Sequence, residues 1–140
     1  METCRVLHAT AVDVDGKAAV IFGPSGSGKS TLALRMISLG ARLVGDDRVQ
    51  LESVRGVLKV FPVATIAGRL EVRNVGIINA PNVCESTVGL MVDMETEEQD
   101  RLPPFREISI LGQKAPLYHR VKGDHFADAL TQILKYGRSD

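Results

Sequence analysis

The 140 residues carry 17 basic and 17 acidic side chains, so formal net charge is zero and no overall field favours nucleic acid or an anionic membrane. The composition, 44% hydrophobic and 24% charged, suits one globular domain over 1–140, and no apolar run nears the ~20 residues that cross a bilayer. Cys4 and Cys84 are too few and too isolated for a disulfide framework or a zinc site, and the first residues lack a signal peptide's apolar core, so the expected compartment is the cytoplasm.

Residues 6–12 read as a first strand with His8 on it, and Asp13-Val14-Asp15-Gly16-Lys17 supplies an Asp-Gly hairpin turn into a second strand over 17–22. That strand runs into Gly23-Pro24-Ser25-Gly26-Ser27-Gly28-Lys29-Ser30-Thr31. Residues 30–39 follow as a helix apolar on most sides, closed by Gly40. Buried strand, glycine-rich loop, helix is the order in which G-x-x-x-x-G-K-[ST] binds a polyphosphate. The glycines let backbone N–H groups curl inward onto phosphate oxygens, and the helix start adds its own free N–H groups. In such a loop Lys29 neutralises the β- and γ-phosphates and the Ser30 hydroxyl ligates Mg²⁺. A flexible Gly/Ser linker would not sit between an aliphatic strand and an amphipathic helix.

Residues 41–45 form the next strand, ending at Asp46-Asp47. Residues 48–54 and 57–61 alternate polar and apolar about Arg55-Gly56, as a hairpin with one wet face that Pro62 stops. Residues 69–74 alternate again and pass into 75–79, while 80–86 read as a loop and 88–92 as a buried strand. The acids between 93 and 100 make that stretch a solvated turn or short helix start, and Arg101-Leu102-Pro103-Pro104 is irregular. Strands over 108–111 and 117–121 precede a closing helix N-capped by Asp124, with Phe126, Ala129, Leu130, Ile133 and Leu134 on one face. The expected fold is α/β: a P-loop domain with a mixed central sheet, a P-loop helix and a C-terminal helix.

A carboxylate at the end of a strand beside the loop can hold Mg²⁺ through water or take a proton from an attacking hydroxyl. Asp46 and Asp47, adjacent on extended backbone, point opposite ways and should not share one task; the bland reading is a solvated Asp-Asp turn. Glu71 shares a face with Arg69 and Arg73 at period two. That stripe is either a surface charge ladder or a metal ligand flanked by phosphate-binding arginines, and composition leaves both open.

Residues 23–30, the helix end Leu39-Gly40-Ala41-Arg42-Leu43 and Asp46-Asp47-Arg48-Val49 together resemble the catalytic, C-terminal domain of HPr kinase/phosphorylase. Its second signature, Leu-Glu-[IV]-Arg-Gly-[LIV]-Gly-Ile-Ile, is similar to Leu70-Glu71-Val72-Arg73-Asn74-Val75-Gly76-Ile77-Ile78-Asn79, with Asn74 for the usual glycine. The resemblance implies ATP and Mg²⁺ as cofactors, bound by Lys29 and Ser30, and Asp47 as the base that takes a proton from a protein serine. Glu71 completes the metal site, His8 matches an active-site histidine, and Arg101, in Asp100-Arg101-Leu102, matches a catalytic arginine. The implied partner is HPr, the phosphocarrier of the sugar phosphotransferase system; the implied assembly is a homohexamer, and the implied reverse reaction uses phosphate and releases pyrophosphate. Typical members carry a further N-terminal domain, whereas the resemblance here starts almost at the first residue, so a truncated form is expected; residues 117–124 lack the core of the late Pro-Gly-Arg-Asn loop that the family ties to dephosphorylation. Two rival readings are a small-metabolite kinase, for which no arginine-dense lid is seen, and an ATP-sensing module that transfers nothing. Asn-Lys-x-Asp and Leu-Ser-Gly-Gly-Gln are both missing, against a GTPase and a transporter ATPase.

Overall fold

A computed structural model describes residues 2–63 and 68–140. The expected first strand is broken at His8 into β1 (Cys4–Leu7) and β2 (Ala9–Val14), because its halves pair with different partners. β1 lies antiparallel to β5 (Val49–Val54), while β2 lies between β3 (Lys17–Phe22) and β4 (Arg42–Gly45). Val14 stays in the ladder opposite Lys17, so the turn is Asp15-Gly16 alone, with φ of 52° and 90°. That left-handed pair matches the twist of the strands it joins. Arg55-Gly56 repeats the device between β5 and β6 (Val57–Pro62), and Leu111-Gly112 repeats it between β10 (Arg106–Ile110) and β11 (Gln113–Arg120). Asp13 therefore lies within β2, 2% exposed, where Ser86 Oγ donates to it at 2.5 Å and Arg42 pairs with it at 3.1 Å.

Residues 69–79 are not one run but a separate hairpin, β7 (Arg69–Val72) against β8 (Gly76–Asn79), turning at Asn74 with φ 66°. The largest departure from expectation is β9 (Ser86–Glu97), which carries regular strand through most of the acidic stretch. β9 runs parallel to β3 along one edge; its other edge pairs with β6 near Ser86 and then with β11 as far as Glu97. Residues 95–97 are exposed, as their acidity suggested, but the backbone is strand rather than turn or helix: β11 pairs at Asp93 and again at Glu97 across a register shift, and buried Met94 keeps the strand's alternation.

The main sheet runs β1-β5-β6-β9-β3-β2-β4, with β10–β11 attached through β9. Period-two alternation sends Val12, Ile21, Leu90 and Val92 to one face and Ala11, Val20 and Met91 to the other, so the central strands are buried on both sides. Helices α1 (Lys29–Ser38) and α2 (His125–Tyr136) cover the first face with Leu32, Met36, Phe126, Leu130 and Leu134. The second face is packed by Val49, Leu51, Leu58, Val60 and Ile110 from the antiparallel strands. Asp124 stands at the N-terminus of α2 as expected, yet makes no capping bond; its carboxylate pairs with Arg35 of α1 at 2.9 Å.

Candidate functional site

The glycine-rich loop joins β3 to α1. Gly23, Gly26 and Gly28 have φ of 149°, 82° and 99°, a region that residues with a Cβ rarely enter, so the chain can curl beneath the helix. Ser27 N–H donates to the Pro24 carbonyl at 3.1 Å, and Leu32 N–H donates to the Gly28 carbonyl at 3.0 Å to begin the helix. No side chain caps α1 and its first turn holds no acid, leaving its free N–H groups and positive dipole end for an anion.

A hollow of about 310 Å³ opens over this loop. Ser25, Gly26, Gly28, Lys29, Ser30 and Thr31 form one side. Thr10 from β2, Asp46 and Asp47 after β4, Glu71 on β7 and Arg73 at the hairpin tip form the other. Lys29 Nζ donates to the Gly23 carbonyl at 2.6 Å, across the loop's mouth. Arg73 leans over the loop: the space a Cβ on Gly26 would fill lies 3.6 Å from its Nη1. Among the described residues the single buried side-chain polar atom without a hydrogen-bond partner is Ser27 Oγ, in the loop itself.

Asp46 is the hub of the opposite wall. Its Oδ1 accepts from Thr10 Oγ and from Ser30 Oγ, each at 3.0 Å, and its Oδ2 accepts from the Glu71 N–H at 2.9 Å. One carboxylate thus links β2, α1 and β7. Asp47 is placed differently. Its backbone is left-handed, φ 68°, held by Ala9 N–H on its carbonyl at 3.1 Å and by its own N–H on Thr10 Oγ at 3.5 Å. Its carboxylate is exposed in the hollow and accepts no hydrogen bond among the described residues. The expectation that the neighbouring acids diverge is met, by a turn rather than by extended strand.

The donors fit a polyphosphate: loop and helix N–H groups, Lys29 and Arg73. Ser30 with the Asp46 and Glu71 carboxylates offers hard oxygen ligands to a cation such as Mg²⁺. Among the described residues no three His, Cys, Asp or Glu side chains converge, so a metal here would keep water or phosphate oxygens in its shell, as Mg²⁺ usually does.

Of the residues singled out from sequence, Lys29, Ser30, Asp47 and Glu71 line the hollow together with Ser25, Gly26, Gly28 and Thr31. Gly23, Pro24 and Ser27 shape the loop behind it. His8 is exposed at the bend between β1 and β2, and Arg101 is exposed beyond the end of β9; neither lines the hollow. Sequence reasoning passed over Thr10, 0% exposed on β2, whose only signal was a hydroxyl in an apolar strand.

The family model for the HPr serine kinase C-terminal domain matches residues 1–103. The chain belongs to this family. The HPr kinase/phosphorylase of Clostridium tetani is 37% identical over 68% of this chain and 33% of the relative. Its namesake from Latilactobacillus sakei is 33% identical over 69% of this chain and 34% of the relative. The chain therefore spans about a third of the length of the curated relatives it matches. A solved structure, the Hpr(Ser) kinase/phosphatase from Coxiella burnetii, superposes with a TM-score of 0.78 at 22% identity and covers 94% of each chain. At that identity the likeness is one of fold, and it carries the HPr kinase architecture past residue 103 into β10, β11 and α2.

Proposed function

We propose that this chain is a single P-loop catalytic domain of an ATP- and Mg²⁺-dependent protein-serine kinase whose acceptor is HPr, and that it also catalyses the phosphate-driven reverse reaction. The observation that carries the reading is the convergence of Lys29, Ser30, Asp46, Asp47 and Glu71, from separate elements, on one hollow in a chain of the HPr kinase family. The names of the relatives supply the acceptor.

Bound ATP would supply the phosphoryl group and Mg²⁺ would neutralise its charge. The loop N–H groups and Lys29 hold the phosphate chain, Lys29 exchanging the Gly23 carbonyl for phosphate oxygens. Ser30 and Glu71 hold the metal, with Asp46 fixing both through its hydrogen bonds to the Ser30 hydroxyl and the Glu71 N–H. Asp47 takes the proton from the acceptor serine Oγ as that oxygen is phosphorylated, and returns it in the reverse direction. Asp47 suits this task because Asp46 already accepts three hydrogen bonds while the Asp47 carboxylate is open to the hollow. His8 and Arg101 lie outside the hollow, so in this arrangement the proposal places neither beside the reacting atoms. Among the described residues no helix is long and apolar enough to cross a membrane; a cytoplasmic setting and the family's hexamer belong to the same proposal.

The test is to incubate the protein with ATP, Mg²⁺ and purified HPr and to look for phosphoserine on HPr by mass spectrometry. Transfer to a single serine is expected, and added phosphate should then release pyrophosphate from the product. ATP binding without transfer would overturn the kinase reading in favour of an ATP-sensing module.

A further inference from the structure

A second hollow, of about 220 Å³, abuts the first and shares Asp46 and Glu71 with it as a common wall. It lies between the turn that follows β4 and the β7–β8 hairpin, with Arg48, Pro62, Val63, Arg69 and Ile77 among its lining residues. Its volume falls below the ~300–1,000 Å³ of sites that enclose a whole small-molecule ligand, and suits one or two side chains delivered by a larger partner.

The chemistry of the rim points the same way. Arg48 and Arg69 take part in none of the ion pairs among the described residues, so two guanidinium groups stand unneutralised at the edge of the hollow. Beside them Ile77 is 67% exposed and, at the hairpin turn, Val75 is 73% exposed, which keeps apolar surface in water next to a reactive site.

We propose that the second hollow and the β7–β8 hairpin are the dock for the acceptor polypeptide, which rests on the kinase reading above. An apolar side chain near the acceptor serine packs on Ile77, Val63 and Pro62, and an acidic side chain or backbone carbonyl of the same segment meets Arg48 and Arg69. The serine then crosses the Asp46–Glu71 partition towards Asp47. The surface is specific for a polypeptide carrying an apolar and an electronegative group on either side of its hydroxyl, and the nucleotide stays in the first hollow.

The test compares the wild-type chain with an Arg48→Glu, Arg69→Glu double variant and with Ile77→Asp, using HPr as the acceptor and a separate equilibrium measurement of ATP binding. Each variant is expected to raise the KM for HPr by about tenfold or more, with kcat at saturating HPr and ATP affinity unchanged. An unchanged KM in a folded variant overturns the dock while leaving the kinase reading intact. A parallel loss of ATP affinity also overturns it and assigns the second hollow to the nucleotide. Ile77 is exposed enough that its substitution decides the matter if the double variant does not fold. ATP binding by the wild type without transfer to HPr would remove the kinase reading and the dock with it, and is seen before any substitution is made.

Discussion

At the scale of single residues, Asp46 and Asp47 are chemically alike, and their backbones separate them. Asp46 closes β4 facing Thr10, Ser30 and the Glu71 N–H, and its charge is spent on holding them. Asp47, turned into the left-handed region, presents its carboxylate to the hollow. Asp47→Asn keeps the shape and removes the proposed base, so kcat for the proposed HPr phosphorylation should fall about 10²–10⁴-fold while ATP affinity holds. Transfer near the wild-type rate would exclude Asp47 from proton transfer. Thr10→Val removes a buried hydroxyl that donates to a charged acceptor, and should lower stability in urea by about 1.5–3 kcal/mol. Thr10→Ser should restore most of that loss; equal loss in both variants would mean that the methyl packing, not the hydroxyl, is what counts.

At the scale of elements, the site is as good as the turn between β4 and β5. Gly45 is the tight point there. A Cβ on it would come within 2.9 Å of Val49 Cγ1 and 3.1 Å of the Arg48 carbonyl oxygen. The stiff valine and the backbone have little room to yield, so Gly45→Ala must push the turn that carries both acids. Expected are a stability loss of about 1–3 kcal/mol and a fall in kcat larger than any change in ATP affinity. An alanine variant with unchanged melting temperature and turnover would show that the turn adjusts without consequence. The long β9 illustrates the same dependence on neighbours. Its polar end rejoins β11 at Glu97 after a register shift that follows Asp93, and its Met94 Cβ backs onto Gly23 of the loop, 3.0 Å from where a Cβ there would sit.

At the scale of the whole molecule, Glu98 ties the end of β9 to the two strands that the family match does not reach. Its side chain is 8% exposed, accepts from Arg106 Nη1 and Nη2 and from the N–H groups of Gln99 and Asp100, and lies 3.9 Å from His119 Nδ1. Burial pushes this carboxyl up, but the Asp100 N–H, the Arg106 guanidinium and the Gln99 N–H together outweigh it and hold the group below its ordinary range. A carboxyl depressed in the folded state stabilises fully above its unfolded pKa and loses that contribution as pH falls through the folded one. Thermal melts of the wild type should therefore drop below about pH 4.5 more steeply than those of Glu98→Gln, which has no such proton to take up. Superimposable pH curves would remove Glu98 from the acid limb.

What the sequence determined by itself is what neighbouring residues decide together. The strand–loop–helix order around Lys29, the Asp15-Gly16 and Arg55-Gly56 turns and the amphipathic closing helix all follow from local backbone preference and periodicity. Lys29, Ser30, Asp47 and Glu71 could be singled out because each sits in a short motif. The tertiary structure alone decided that β9 runs on through the acids, that the first strand divides at His8, and that His8 and Arg101 stay outside the hollow. It also decided that Asp46 gathers groups from residues 10, 30 and 71, and that a second hollow lies behind Glu71. The physical reason is the same in each case: a sheet partner or a hydrogen-bond donor distant in sequence leaves no periodic or compositional trace near the residue it acts on.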